Sequence, residues 1–139
     1  MEKRILAIDY GARRVGIAVS DPMNIFAIPL ETLDNDQKLF KNILSIIEEK
    51  NIGRIIIGYP LKESGERSGS TELVEKFREE LERKTDLPIE YIDERYSSEI
   101  AKDHIIQSIP SKKKRRNKKN VDMRAAAVFL TDYLNSVKK

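Results

Sequence analysis

Asp9 closes the apolar run Arg4-Ile5-Leu6-Ala7-Ile8 and is followed by Tyr10-Gly11-Ala12-Arg13-Arg14-Val15-Gly16. A carboxylate at the end of a strand, beside glycines that let a ligand approach the backbone, is suited to hold a metal ion or orient a phosphate. Glu94, in Asp93-Glu94-Arg95-Tyr96-Ser97-Ser98, lies just past a later strand, and Asp122 opens the last helical segment. If the strand before Glu94 runs parallel to the first, both acids emerge at one edge of the sheet. Ala125-Ala126-Ala127 lets the final helix lie close to that sheet, so its first turn can present Asp122 to Asp9. Convergent carboxylates fit Mg²⁺, a hard cation that takes oxygen ligands, with Mn²⁺ as a substitute. A pair of such ions about 3.5–4 Å apart activates a water and stabilises the leaving oxygen of a phosphodiester. Each acid also has an ordinary reading. Asp122 can complement a helix dipole, Glu94 can pair with a neighbouring cation such as Arg95, and Asp9 is the hardest to explain that way because Asp is disfavoured in strands.

The cations point to a polyanion. Lys112, Lys113, Lys114, Arg115, Arg116, Lys118 and Lys119 put seven positive charges into eight positions, and without them the net charge goes from +3 to −4. Such a run is usually a solvated loop, but this one ends three residues before Asp122, which favours contact with nucleic acid. Arg13 and Arg14 add positive charge beside Asp9 in the glycine turn. His104, the sole histidine, falls inside a helical segment and reads as a packing residue. Asp21 lies beyond the far end of the second strand, at the edge opposite Asp9, and reads as a turn residue.

The elements that must position these groups follow from periodicity. With 139 residues and 40% hydrophobic content, the chain suits a single domain over 1–139. It has no Cys and no apolar stretch near the roughly 18 residues of a membrane span, so a soluble cytoplasmic protein without disulfides is expected. Two strands flank the glycine turn, and Ile25-Phe26-Ala27-Ile28-Pro29-Leu30 reads as a third, at an edge because Pro29 cannot serve a central ladder. From Asp36 the pattern is helical, with Leu39, Ile43, Ile46 and Ile47 on one face, and Asn51 and Gly53 stop it. Arg54-Ile55-Ile56-Ile57-Gly58 is a strand covered on both faces. A polar Gly/Ser loop leads to a helix with Leu73, Val74, Phe77 and Leu81 inward, then a fifth strand, Pro88-Ile89-Glu90-Tyr91-Ile92-Asp93. A helix over about Ser98–Gln107 and another from about Asp122 to Val137 close the chain. Three hairpin strands followed by helix-strand-helix-strand is the order of the ribonuclease H-like fold. The expected architecture is therefore α/β, a five-stranded mixed sheet in the order 3-2-1-4-5 with helices on both faces.

Ile8-Asp9-Tyr10-Gly11-Ala12-Arg13-Arg14-Val15-Gly16-Ile17-Ala18-Val19-Ser20-Asp21, Gly58-Tyr59-Pro60-Leu61, Asp93-Glu94-Arg95-Tyr96-Ser97-Ser98 and Val121-Asp122-Met123-Arg124-Ala125-Ala126 together resemble the YqgF/RuvX family in order and spacing. The resemblance implies a metal-dependent nuclease of the bacterial cytoplasm that matures the 5′ end of 16S ribosomal RNA, or alternatively a Holliday-junction resolvase. It maps an acidic triad onto Asp9, Glu94 and Asp122, and basic positions onto Arg14 and Arg95. Asp93 adjoins Glu94 and is the alternative ligand; Glu94 is chosen because alternation puts neighbouring side chains on opposite faces and Arg95 would then flank the site. The expected partner is structured RNA, such as a ribosomal precursor, with a four-way DNA junction as the alternative and a non-cleaving nucleic-acid-binding module as a third reading. A monomer or weak homodimer is expected. Symmetric junction cleavage needs two sites related by a two-fold axis, for which Ala101, Ile105 and Ile109 offer a face.

Overall fold

Ile55, Ile56 and Ile57 are fully buried, as are Leu6, Ala7 and Ile8. These two apolar runs pair in parallel at the centre of a five-stranded sheet. The structure, a computed structural model, describes residues 3–60, 65–93 and 118–137, with side chains from 123 onward in the last of these. The elements are β1 (Arg4–Tyr10), β2 (Arg14–Ser20), β3 (Ala27–Asp34), α1 (Leu39–Glu49), β4 (Ile52–Tyr59), α2 (Gly69–Lys84), β5 (Ile89–Asp93) and α3 (Lys118–Val137). The strand order is β3-β2-β1-β4-β5, as the element order predicts. β2 is antiparallel to both β1 and β3, whereas β4 is parallel to both β1 and β5.

Strand alternation divides the core into two layers. Leu6, Ile8, Val15, Ile17, Ile55 and Ile57 pack with Leu39, Ile43, Val74, Phe77 and Leu81 of α1 and α2. Ala7, Ala18 and Ile56 pack on the other side against Ala126, Ala127, Leu130 and Leu134 of α3. Small residues on both surfaces bring the backbone of α3 close to the sheet, the role expected of the alanine run. Pro29 lies on β3, an edge strand, as its missing N–H requires.

Several boundaries differ from expectation, each for a local reason. β3 starts at Ala27, because Asp21 gathers the preceding residues into a loop, and it continues to Asp34 by pairing with β2. The first helix begins at Leu39, since the Asp36 carboxylate accepts from the Lys38 N–H (2.9 Å) and closes a turn instead. Asn51 ends that helix with φ of 55°, while Gly53 has a separate duty: a Cβ there would lie 2.5 Å from Lys3 Cβ. On α2 the inward set is Thr71, Val74, Phe77 and Leu81; Leu73 is 45% exposed, a correction to the predicted apolar face. α3 already includes Lys118, a full turn before Asp122, with no proline or glycine between them to interrupt it. The expected helix near Ser98–Gln107, with His104 and the face of Ala101, Ile105 and Ile109, lies outside the described residues.

The two layers differ in tolerance. Ala127→Leu forces bulk between α3 and the sheet and is expected to lower unfolding free energy by about 1–3 kcal/mol in a urea titration. Leu73→Ser, on the exposed side of α2, is expected to change it by less than about 0.5 kcal/mol. A large loss from Leu73→Ser would mean that α2 presents a different face to the core.

Candidate active site

Asp9 sits at the C-terminal end of β1, opposite Gly16 of β2. It shares a face with Ile5 and Ala7, the face covered by α3, whereas Leu6, Ile8 and Tyr10 turn to the α1/α2 layer. The parallel register pairs Ile8 with Ile57, Ile57 with Tyr91 and Tyr59 with Asp93, so β1, β4 and β5 all end at one edge of the sheet. Asp93 therefore reaches Asp9's edge, but alternation places it with Ile89 and Tyr91 on the α1/α2 side. Ile92 belongs to the α3 side.

Of the remaining predicted acids, Asp122 lies on α3, inside its second turn, one turn further in than the N-terminal position expected for complementing the helix dipole. Glu94 lies outside the described residues, as do Arg95 and Lys112 to Arg116; Lys118 and Lys119 form the first residues of α3 instead of a loop. Among the described residues no three His, Cys, Asp or Glu side chains converge on a metal position, and neither Glu94 nor the Asp122 side chain belongs to that set.

The direction of α3 follows from Tyr133. Partial desolvation raises the pKa of its phenol, helped by a hydrogen bond to Glu90, which also pairs with Arg54. Arg54 and Glu90 lie in the N-terminal halves of β4 and β5, so the C-terminal half of α3 covers the part of the sheet remote from Asp9.

The turn after Asp9 is tightly built. A Cβ on Gly11 would lie 2.5 Å from the Arg14 carbonyl oxygen, which requires glycine at that position. Asn35, just past β3, holds both limbs of the turn: its Nδ2 donates to the Gly11 carbonyl (2.8 Å) and its backbone N–H to the Arg13 carbonyl (2.9 Å). Sequence reasoning passed over Asn35, although the turn formers Asp34-Asn35-Asp36 mark the junction. Arg13 is exposed at the tip, and Arg14 registers with Asp34 across the strands.

The end of β4 is also clamped. The fully buried Thr71 donates its hydroxyl to the Pro60 carbonyl, and it completes a capping box with Ser68 at the start of α2. Tyr59 donates to Glu75 Oε2 (3.0 Å), and Arg67 pairs with the same carboxylate. The Arg67 guanidinium holds the Glu75 carboxyl below the usual carboxylate range. Desolvation, reinforced by Glu75, pushes the Tyr59 phenol up, so it stays a proton donor. The groove lined by Glu75, Arg78, Glu79, Glu82 and Tyr91 has three carboxylates against one guanidinium, the wrong balance for a polyanion.

Asp21 is a turn residue at the opposite edge, as expected. Its carboxylate accepts from the backbone N–H groups of Ile25 (2.7 Å), Phe26 (2.6 Å) and Met23 (3.2 Å). Desolvation works against its ionisation, and these donors outweigh that, holding the carboxyl below the usual range.

The family described as "RuvX: Holliday junction resolvase" matches residues 3–136. A "Putative pre-16S rRNA nuclease" of Maridesulfovibrio salexigens is 41% identical over 133 residues, covering 94% of this chain and 97% of the relative. One of the same description from Chlorobium chlorochromatii is 39% identical over 137 residues, covering 98% and 97%. Among solved structures, Fowlpox virus resolvase with Holliday junction DNA superposes with a TM-score of 0.61 at 13% identity, covering 98% of this chain and 99% of that one. T. thermophilus RuvC with a Holliday junction substrate gives 0.59 at 10% identity, covering 97% and 95%. At those identities the likeness speaks to fold alone, which is the ribonuclease H-like architecture.

The Asp21 loop generates a pH prediction. Because its folded pKa is depressed, its contribution is fully present above the ordinary Asp pKa of about 4 and is lost as pH falls through the folded value. Wild type should therefore melt above Asp21→Asn at neutral pH, with the gap closing in acid. Equal melting temperatures at neutral pH would contradict the role given to those three N–H groups.

Proposed function

Because the chain belongs to the RuvX family, we propose that it is a metal-dependent endonuclease hydrolysing nucleic-acid phosphodiesters, acting in 5′-end maturation of pre-16S ribosomal RNA in the cytoplasm. Residues 1–139 act as one nuclease domain in this reading. The observation that carries it is the register that brings Asp9 and the end of β5, one residue before Glu94, to a common edge of the sheet.

Asp9, Glu94 and Asp122 are the proposed catalytic acids. The assignment of Glu94 over Asp93 is supported by alternation, since Asp93 falls on the face opposite Asp9. The assignment of Asp122 is supported by length. From Tyr133 back to Asp122 α3 rises about 16 Å, and from the level of Arg54 to that of Asp9 the strands rise about 13 Å, so Asp122 can reach the Asp9 edge. An all-carboxylate donor set suits a hard divalent cation, so these residues would hold Mg²⁺ or Mn²⁺. Bound there, the metal supplies an activated water and charge neutralisation at the phosphate. Arg13 and Arg14, with Arg95 and the cations from Lys112 to Lys119, bind the nucleic-acid backbone and hold the scissile phosphate over the acids. No described helix is long and apolar enough to cross a membrane.

A second substrate, the four-way DNA junction, is favoured by the family's own description. Symmetric cleavage of a junction calls for a dimer, so light scattering together with junction and precursor-RNA substrates separates the two.

Asp9→Asn is expected to abolish Mg²⁺-dependent cleavage of precursor 16S RNA while leaving the unfolding midpoint near that of wild type. Cleavage retained by the folded variant would remove Asp9 from the chemistry. For the cations, neutralising one residue that contacts phosphate should flatten the plot of log affinity against log salt by about one unit.

A further inference from the structure

We infer that Asn35 is a positioning residue for substrate binding, fixing the turn that carries Arg13 against the rest of the site. This inference rests on the nuclease reading above and goes beyond it, because Asn35 lies neither among the acids nor among the cations.

Asn35 is firmly held itself. It follows Asp34, which registers with Arg14 at the end of the β2/β3 ladder. It precedes Asp36, whose backbone N–H donates to the Asp34 carbonyl (3.0 Å) and whose own carbonyl accepts from the N–H of the buried Leu39 (3.1 Å). The junction is thus anchored by the sheet on one side and by the core on the other. From there Asn35 reaches across to the Gly11 and Arg13 carbonyls, one on each limb of the turn. Those two bonds span the tip that displays Arg13.

The two parts of the turn depend on Asn35 to different degrees. Asp9 is secured by strand pairing, opposite Gly16, and its neighbour Ile8 is paired on both sides. Arg13 lies between β1 and β2, outside both ladders, and its carbonyl is held by Asn35. The bond to Arg13 comes from the Asn35 main chain and survives substitution, whereas the side chain holds the other limb at Gly11. Its loss should therefore free the turn on that side, loosen the tip with its exposed guanidinium and leave the carboxylate in place. Binding should weaken while the chemical step keeps its rate, the signature of an interaction made equally with bound substrate and transition state.

The test uses the full chain and precursor 16S RNA with Mg²⁺. Asn35→Ala and the nearly isosteric Asn35→Asp, which lacks the donor, should each raise KM about three- to tenfold, the worth of one hydrogen bond, with kcat within twofold of wild type. Thermal melts establish that each variant is folded at the assay temperature. In a double-mutant cycle, adding Asn35→Ala to Arg13→Ala should raise KM by less than twofold further, because the brace acts through Arg13. Full additivity, an unchanged KM, or a fall in kcat with KM constant would each overturn the inference while leaving the nuclease reading standing. A wild-type chain that neither binds nor cleaves the RNA would overturn that reading, and the role of Asn35 with it.

Discussion

The parallel pairing of β1 with β4 is the constraint on which the molecule depends. Both strands are buried on their two faces, so their backbone groups have no water to turn to and must satisfy one another. Parallel strands end on the same side, which is why Asp9 and the termini of β4 and β5 share an edge. The crossover helices α1 and α2 are then obliged to return behind the sheet, leaving its front to α3. The clamps at Asn35, at Thr71 with Pro60 and at Tyr59 with Glu75 all lie at that edge, and the first two hold residues that the ladders themselves do not reach.

The two faces of the sheet have divided duties. Behind it, long aliphatic and aromatic side chains fill the space under α1 and α2, with Tyr10 stacked on Phe77 at 4.3 Å and Phe77 on Phe40 at 5.5 Å. In front, Ala7, Ala18, Ala126 and Ala127 keep the gap narrow. A single step along β1 or β5 moves a side chain from one environment to the other. Neighbours such as Ile92 and Asp93 are consequently not interchangeable, because the pleat turns one to α3 and the other to the α1/α2 layer.

The fold was legible wherever burial imposes a period. The isoleucine run of β4, the Asp9 strand and the heptad-like spacing of α1 could be read directly, and with them the strand order. Legibility failed where a side chain competes with the backbone. Asp21 and Asp36 capture N–H groups and so shift the starts of β3 and α1, and a polar residue, Thr71, takes the buried place on α2 that apolarity assigned to Leu73. Asp122 was read as a helix start from its residue type, whereas the preceding lysines continue the helix upstream. Of the candidate site, the position of Asp9 and its glycine turn could be read; the brace from Asn35 could not, because it joins residues 24 apart whose meeting depends on the β2/β3 register.

At the outer margin of the sheet, Pro29 and the register shift that leaves Leu30 without a β2 counterpart interrupt β3 midway. A row of unsatisfied amides and carbonyls with regular spacing would be a template for another chain to zip onto. Here the rhythm is broken, so stacking of one molecule's margin on the next is frustrated even though Ile28 beside the break is 39% exposed. The flank of the sheet is thereby a poor template for a strand of a neighbouring molecule.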